Sequence, residues 1–222
     1  MFLGIDIGTS GVKAVLVDGD QQLVAQASEA LVVTRPEPLW SEQDPASWWH
    51  ATRSAVAALK ESEPNALAAV RGIGLSGQMH GATLLDGSDK VLRPAILWND
   101  GRSAAACDAL ESAELRSREI TGNLAMPGFT APKLLWVRDN EPEIFSQVEK
   151  VLLPKDYVRL LMTGEHVSEM SDAAGTLWLD VGKRDWSDAM LAASGLSRSH
   201  MPRLVEGSEA SGVLRPDVAA VG

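Results

Sequence analysis

Asp6-Ile7-Gly8-Thr9-Ser10-Gly11-Val12-Lys13 sets a carboxylate inside an apolar strand and follows it with two glycines, two hydroxyls and a lysine. Glycines let a backbone approach a ligand closely, and successive amides in such a turn can face an anion. Thr9 and Ser10 add hydroxyl donors, Lys13 adds a cation near bound phosphates, and Asp6 is a hard oxygen ligand suited to a hydrated magnesium ion. This is a phosphate-handling set. No Gly-Lys-[Ser/Thr] closes the stretch before a helix, and it holds no Gly-x-Gly-x-x-Gly, so the common phosphate-loop signatures do not apply to it. A plain hairpin whose glycines only serve the turn is the competing reading. The position of Asp6 weighs against it, because an ionised side chain in a half-buried strand is costly without a partner.

Two further stretches group polar side chains at the ends of apolar runs. Leu75-Ser76-Gly77-Gln78-Met79-His80-Gly81 offers an amide, a thioether and an imidazole in a row, which can converge on a polyol. Pro94-Ala95-Ile96-Leu97-Trp98-Asn99-Asp100-Gly101-Arg102 adds an indole, a carboxylate and a guanidinium. Bland readings stand beside both: a turn carrying a surface His80, and a surface Asp100–Arg102 ion pair of little energetic weight.

The elements that must position these groups follow from periodicity and punctuation. Leu3–Ile7, Val12–Asp18 and Leu23–Val33 read as three strands with short connections, which fits an antiparallel meander. A helix over Ser47–Leu59 follows from the spacing of Trp48, Ala51, Ala55, Ala58 and Leu59, with Asp44 as N-cap and Pro45 in the first turn. Strands are expected at Val70–Leu75, Ala82–Asp86, Ala95–Trp98 and Val148–Leu153. Helices are expected at Ala104–Ala113, Ala131–Asn140 and Asp156–Thr163. Strands leading, with helices after them, point to a mixed α/β domain with a partly antiparallel sheet rather than a doubly wound parallel one. Ser208–Gly222 reads as two strand or turn fragments ending like an interior cut.

Composition bounds the partners. The 222 residues, 45% of them apolar, can supply a core, and 30 acidic against 20 basic residues give a net charge of -10. That balance argues against nonspecific binding to nucleic acid or anionic membranes and favours a small-molecule ligand. Cys107, the single cysteine, has no partner for a disulfide, and no stretch has the character of a signal peptide or a membrane span, so a cytoplasmic protein is expected.

The Asp6–Lys13 stretch resembles the first phosphate motif of the sugar kinase, actin and Hsp70 superfamily, whose fold is ribonuclease H-like with three antiparallel strands at the start of a mixed sheet. The segments around Gln78-Met79-His80, Trp98-Asp100-Arg102, Ile120-Thr121-Gly122-Asn123, Phe129-Thr130-Ala131-Pro132-Lys133, Leu153-Pro154-Lys155-Asp156 and Glu169-Met170-Ser171-Asp172 then narrow the resemblance. They occur in the order found in the N-terminal domain of the FGGY family of carbohydrate kinases, across almost the whole chain.

The resemblance implies ATP-dependent phosphoryl transfer to a sugar with magnesium as cofactor. Gly8, Thr9, Ser10, Gly11 and Lys13 would face the phosphates, and Asp6 would stand beside the metal as a residue important for activity. Gln78, Met79, His80, Trp98, Asp100 and Arg102 would line the sugar pocket, with D-xylulose the expected substrate. Ribulose, gluconate and fuculose remain alternatives, while glycerol is disfavoured because kinases of that type carry Arg and Glu where this chain has Met79 and His80. A non-catalytic module of the same superfold, such as the sugar-kinase-like repressors, is the alternative from another class. The family's general-base aspartate belongs to a glycine-rich segment of a C-terminal domain, and no such segment occurs in this chain. The expectation is therefore a single N-terminal domain over 1–222, inactive alone, partnered by a missing C-terminal domain and homodimeric when full length.

Overall fold

A computed structural model describes residues 1–220. β1 (Phe2–Ile7), β2 (Gly11–Val17) and β3 (Leu23–Ala30) open the chain, and β4 (Glu42–Gln43) leads to α1 (Pro45–Ser62) and a short α2 (Pro64–Ala68). Next come β5 (Ile73–Gly77), β6 (Thr83–Leu85), β7 (Ala95–Ile96), α3 (Ala104–Ala113), α4 (Ser117–Thr121), α5 (Thr130–Asn140) and α6 (Pro142–Phe145). β8 (Lys150–Leu152), α7 (Pro154–Thr163), β9 (Val167–Glu169), α8 (Met170–Ala174), β10 (Leu179–Asp180) and β11 (Asp185–Trp186) follow. The described chain closes with α9 (Asp188–Ala193), β12 (Arg203–Val205) and α10 (Pro216–Ala219).

The main sheet has the order β3-β2-β1-β5, antiparallel through its first three strands and parallel where β1 meets β5. Strict alternation makes it one-sided. Leu3, Ile5 and Ile7 of β1 and Val12, Ala14 and Leu16 of β2 are buried, while Asp6 and Lys13 point to the exposed face. Trp48, Ala51, Thr52, Ala55 and Leu59 of α1 are buried, at the spacing of one helical stripe, and α1 packs against β2 and β3. Each fully buried Leu, Ile or Val there contributes about 1.5–3 kcal/mol relative to exposure. Asp44 caps α1 by accepting from the Ala46 amide at 2.9 Å, with Pro45 at the first turn.

A second hydrophobic cluster gathers Leu84, Leu110, Leu134, Trp178 and Leu191 around α3 and α5. It backs the wall formed by the 94–102 and 128–130 segments.

Several boundaries differ from the periodic reading for identifiable reasons. β5 runs Ile73–Gly77 rather than Val70–Leu75, because its ladder lasts as long as its partner does, from Leu3↔Ile73 to Ile7↔Gly77. β3 ends at Ala30 rather than Val33, where the Leu31 amide turns to the Ser10 carbonyl at the hairpin tip. The tail is corrected as well. Residues 208–215 have no regular structure and Pro216–Ala219 is a helical turn, not a strand; residues 221–222 lie outside the described residues.

Gly72-Ile73-Gly74-Leu75-Ser76-Gly77 has the Gly-x-Gly-x-x-Gly spacing. It is β5 itself rather than a turn opening a helix, so the spacing carries no dinucleotide site.

Candidate active site

The parallel pairing of β1 with β5 brings the two polar stretches to one sheet edge. Ile7 lies opposite Gly77, and the Gln78 amide donates to the Ile7 carbonyl at 2.8 Å, so the 8–11 hairpin and the 78–80 segment leave the sheet side by side. The hairpin closes through the Gly8 amide on the Gly11 carbonyl, 3.0 Å. The amides of Thr9 and Ser10 donate to no protein acceptor among the described residues, which leaves them available to an anion.

Asp6 and Lys13 are direct cross-strand partners on the exposed face. Lys13 makes no ion pair among the described residues, and the Oδ1 of Asp6 accepts from Ser76 Oγ at 2.6 Å. A Cβ placed on Gly8 would stand 3.6 Å from the other Asp6 oxygen, Oδ2, so this oxygen lies over the glycine turn. No cluster of three metal-ligating side chains occurs among the described residues. One open carboxylate beside a phosphate-ready turn fits magnesium, which keeps much of its water and shares its coordination with substrate phosphates.

A neutral hydrogen-bond network joins the hairpin to Gln78 and Trp98. Trp98 Nε1 donates to Thr9 Oγ1 (3.0 Å), Thr9 Oγ1 to Gln78 Oε1 (3.0 Å), Gln78 Nε2 to Gln43 Oε1 (2.8 Å), and Gln43 Nε2 to the Thr9 carbonyl (2.7 Å). Trp48 Nε1 also donates to Gln43 Oε1, at 3.0 Å. The Thr9 hydroxyl is thus engaged by Gln78 and Trp98, while its amide has no protein acceptor among the described residues. Gln43 was not legible as a site residue. It lies on a two-residue strand with no periodic signal, and its only hint is its place directly before the α1 cap.

Met79 is exposed and His80 takes a left-handed backbone with φ of 65°. The His80 carbonyl accepts from Lys133 Nζ (3.0 Å) and Thr130 Oγ1 (3.2 Å), which hold that uncommon conformation in place. The ring packs on Phe129 with centroids 4.7 Å apart. It also lies against Gly175, where a Cβ would come within 2.5 Å of the imidazole, so only glycine fits there.

Burial, aided by the nearby Lys133 cation, pushes the His80 imidazole down to about 4. Neutral at physiological pH, it can donate one hydrogen bond and accept another. Lys133 is itself fully buried, and burial lowers its ammonium to about 7, with Asp100 opposing and Arg102 adding to the shift. Its Nζ also donates to the Gly128 carbonyl. Gly128 runs so close to Trp98 that a Cβ would meet the Trp98 carbonyl at 2.8 Å.

Asp100 and Arg102 form a buried pair, not the surface pair of the alternative reading. Asp100 Oδ1 accepts from the Arg102 amide and Nε, both 2.9 Å, while Oδ2 accepts from Arg102 Nη2 (2.7 Å) and the Ser41 amide (2.6 Å). Arg102 Nη1 reaches Glu42 at 2.7 Å, and the guanidinium stacks 3.6 Å from the Trp40 ring centroid. Arg93 bridges Glu42 and Glu141 in the same cluster. The pair is the buried foundation of the wall that carries Trp98.

A second buried ionic group sits beneath β5. Lys155 Nζ lies 2.9 Å from Asp156 and 2.7 Å from Asp172, and Arg159 pairs with Asp156 at 3.0 Å. Desolvation raises Asp172 above the usual carboxylate range. Glu169 lies below that range: burial opposes the shift, but hydrogen bonds from Ser171 and the Asp172 amide outweigh it. Sequence order placed these segments; the fold shows that their charges serve one another.

The chain matches the model for the N-terminal domain of the FGGY family of carbohydrate kinases over residues 1–222. Xylulose kinase of Escherichia coli K12 is 63% identical over 99% of this chain and 45% of its own length, and that of Bacillus subtilis 168 is 42% identical over 98% and 44%. The crystal structure of a xyloylose kinase from Brucella ovis superposes with a TM-score of 0.96 at 58% identity, covering 98% of this chain and 45% of that one. Xylulose kinase from Rhodospirillum rubrum superposes at 0.94 with 29% identity, covering 99% of this chain and 45% of its own. The chain thus spans a little under half the length of these relatives. With its mixed sheet, its hairpin and its ordered segments, it belongs to the FGGY family of carbohydrate kinases and corresponds to their N-terminal domain.

Proposed function

We propose that this chain is the sugar-binding half of an ATP-dependent D-xylulose kinase, which phosphorylates the terminal hydroxyl of the ketose. One observation carries the reading: the phosphate-ready hairpin and the Gln78-Met79-His80 segment leave one sheet edge together and share a hydrogen bond through Thr9. Donor phosphate and acceptor hydroxyl must meet in line, so their two binding segments have to adjoin.

In this mechanism the free amides of Thr9 and Ser10 cradle phosphate oxygens, and Lys13 adds positive charge from the neighbouring strand position. Asp6 would hold hydrated magnesium, which would supply charge neutralisation to the transferring phosphoryl group. Gln78, Met79 and neutral His80 orient the ketose. The indole of Trp98, 46% exposed with its N–H already satisfied, offers an apolar ring face to the sugar. Asp100 and Arg102 support Trp98 from behind. The base that takes the hydroxyl proton, and the adenosine pocket, belong to the remaining length of the protein, so the 222-residue chain by itself turns over no sugar.

A coupled ADP-release assay on the complete protein, with D-xylulose, D-ribulose, gluconate and fuculose compared, tests the proposal. Greatest kcat/KM on D-xylulose is the expected result. Preference for another of these sugars overturns the substrate assignment, and absence of turnover with all of them overturns the kinase reading.

A further inference from the structure

Hydrogen-bond polarity around Thr9 is determined by two indoles. An indole N–H can only donate. Trp48 is fully buried and its Nε1 reaches Gln43, so Gln43 must present Oε1 to it and turn Nε2 to the Thr9 carbonyl. Gln78 must then give Nε2 to that same Gln43 oxygen, which leaves its own Oε1 facing Thr9. An acceptor facing the hydroxyl makes Thr9 the donor, and the indole of Trp98 fills its accepting side. The single hydroxyl proton is committed to Gln78. None remains for a phosphate oxygen.

We propose that Thr9 is a positioning residue of the sugar site: its hydroxyl pins the exposed Trp98 indole and tethers the Gln78 carboxamide, whose direction Gln43 sets, while only its amide serves the phosphate side. Thr9 therefore acts on sugar recognition from within the phosphate hairpin. Binding at either site strains or relaxes the same residue, and such coupling is reciprocal. This inference rests on the kinase reading above and specifies how its sugar site is held.

The test uses Thr9→Val, which keeps the shape and removes the hydroxyl, and Thr9→Ser, which restores it, both in the complete protein. Thr9→Val is expected to raise KM for D-xylulose about tenfold, the scale of one or two lost hydrogen bonds, with a smaller effect on kcat and on KM for ATP. Thr9→Ser is expected to return KM to near the wild-type value. The indole N–H resonance of Trp98 should move upfield in Thr9→Val and return in Thr9→Ser, a readout independent of turnover. Unchanged sugar KM in Thr9→Val, or a rise confined to ATP, overturns the inference and makes the hydroxyl a phosphate ligand or a bystander.

If Thr9→Val does not fold, Thr9→Ala removes the same hydroxyl and must raise KM for D-xylulose; unchanged KM there overturns the inference as well. Lack of D-xylulose turnover in the wild-type protein is a separate failure, that of the kinase reading.

Discussion

Asp6 with Lys13 and Asp100 with Arg102 are both acid–cation pairs, and the fold treats them in opposite ways. The first pair is exposed on the open sheet face, close in register; among the described residues it forms no ion pair, and Ser76 is the only side chain bonded to its carboxylate. The second is sealed behind Trp40, with both carboxylate oxygens hydrogen-bonded and every guanidinium nitrogen within 2.9 Å of a carboxylate. Burial demands compensation for every charge, whereas solvent lets a charge wait for a ligand. A charge left unpaired at a sheet edge is thus informative about function, and a charge fully paired in the interior is informative about architecture.

The contrast is most easily broken at its exposed end. Asp6→Ala in the complete protein is expected to lower kcat by about 10³-fold or more, the scale of a lost electrostatic group in a transition state, with the urea midpoint unchanged. Wild-type turnover would remove Asp6 from the site.

At the buried end the signs reverse. Arg102→Met leaves Asp100 in the interior without its cation, while Glu42 keeps only Arg93, and a loss of about 3–5 kcal/mol in urea denaturation is expected. A loss below about 1 kcal/mol would mean that the wall does not depend on the cluster.

A pH series sharpens the comparison for a group between the two regimes. His80 stays neutral in the folded protein down to about 4, while the unfolded chain takes up its proton near the ordinary histidine value of 6.5. The unfolded state therefore binds more protons between those values, and stability falls as pH drops through the window, by at most about 3 kcal/mol. His80→Asn should flatten that part of the curve; an unaltered slope would assign it to carboxylates instead.

The smallest effect belongs to the surface. Arg116 and Glu119 pair at 2.8 Å with both side chains mostly exposed, and Arg116→Ala is expected to leave the urea midpoint where it was.

The parts of this molecule legible in the sequence are those set by local chemistry. Asp44 and Pro45 mark the start of α1 because capping acts over a few residues, and the alternation of Leu3, Ile5 and Ile7 reports a one-sided sheet. The β1–β2 hairpin was legible because its glycines and hydroxyls mark a tight turn between two apolar strands. Less legible were features decided by distant partners. The two-residue strand Glu42–Gln43 exists because Ala95–Ile96 lies beside it, and β9 pairs in parallel with β12 across a long stretch of chain. Short helices such as α4 and α8 offer too few turns for a periodic pattern. For Asp100 and Arg102 the burial was not legible, since no local pattern says whether a strand end will face solvent or be roofed by Trp40.

The parallel match of Asp6 with Ser76 also has a meaning for anyone re-engineering the protein. Side chains alternate with a period of two, so inserting or deleting one residue within Ile73–Gly77 would act like a frameshift, swinging Gln78 away from Thr9 and parting the two ligand segments. Length changes belong instead in the exposed Asp18–Gln22 turn, at the opposite end of β2 from the hairpin, where an epitope or linker can be spliced in without disturbing that alignment.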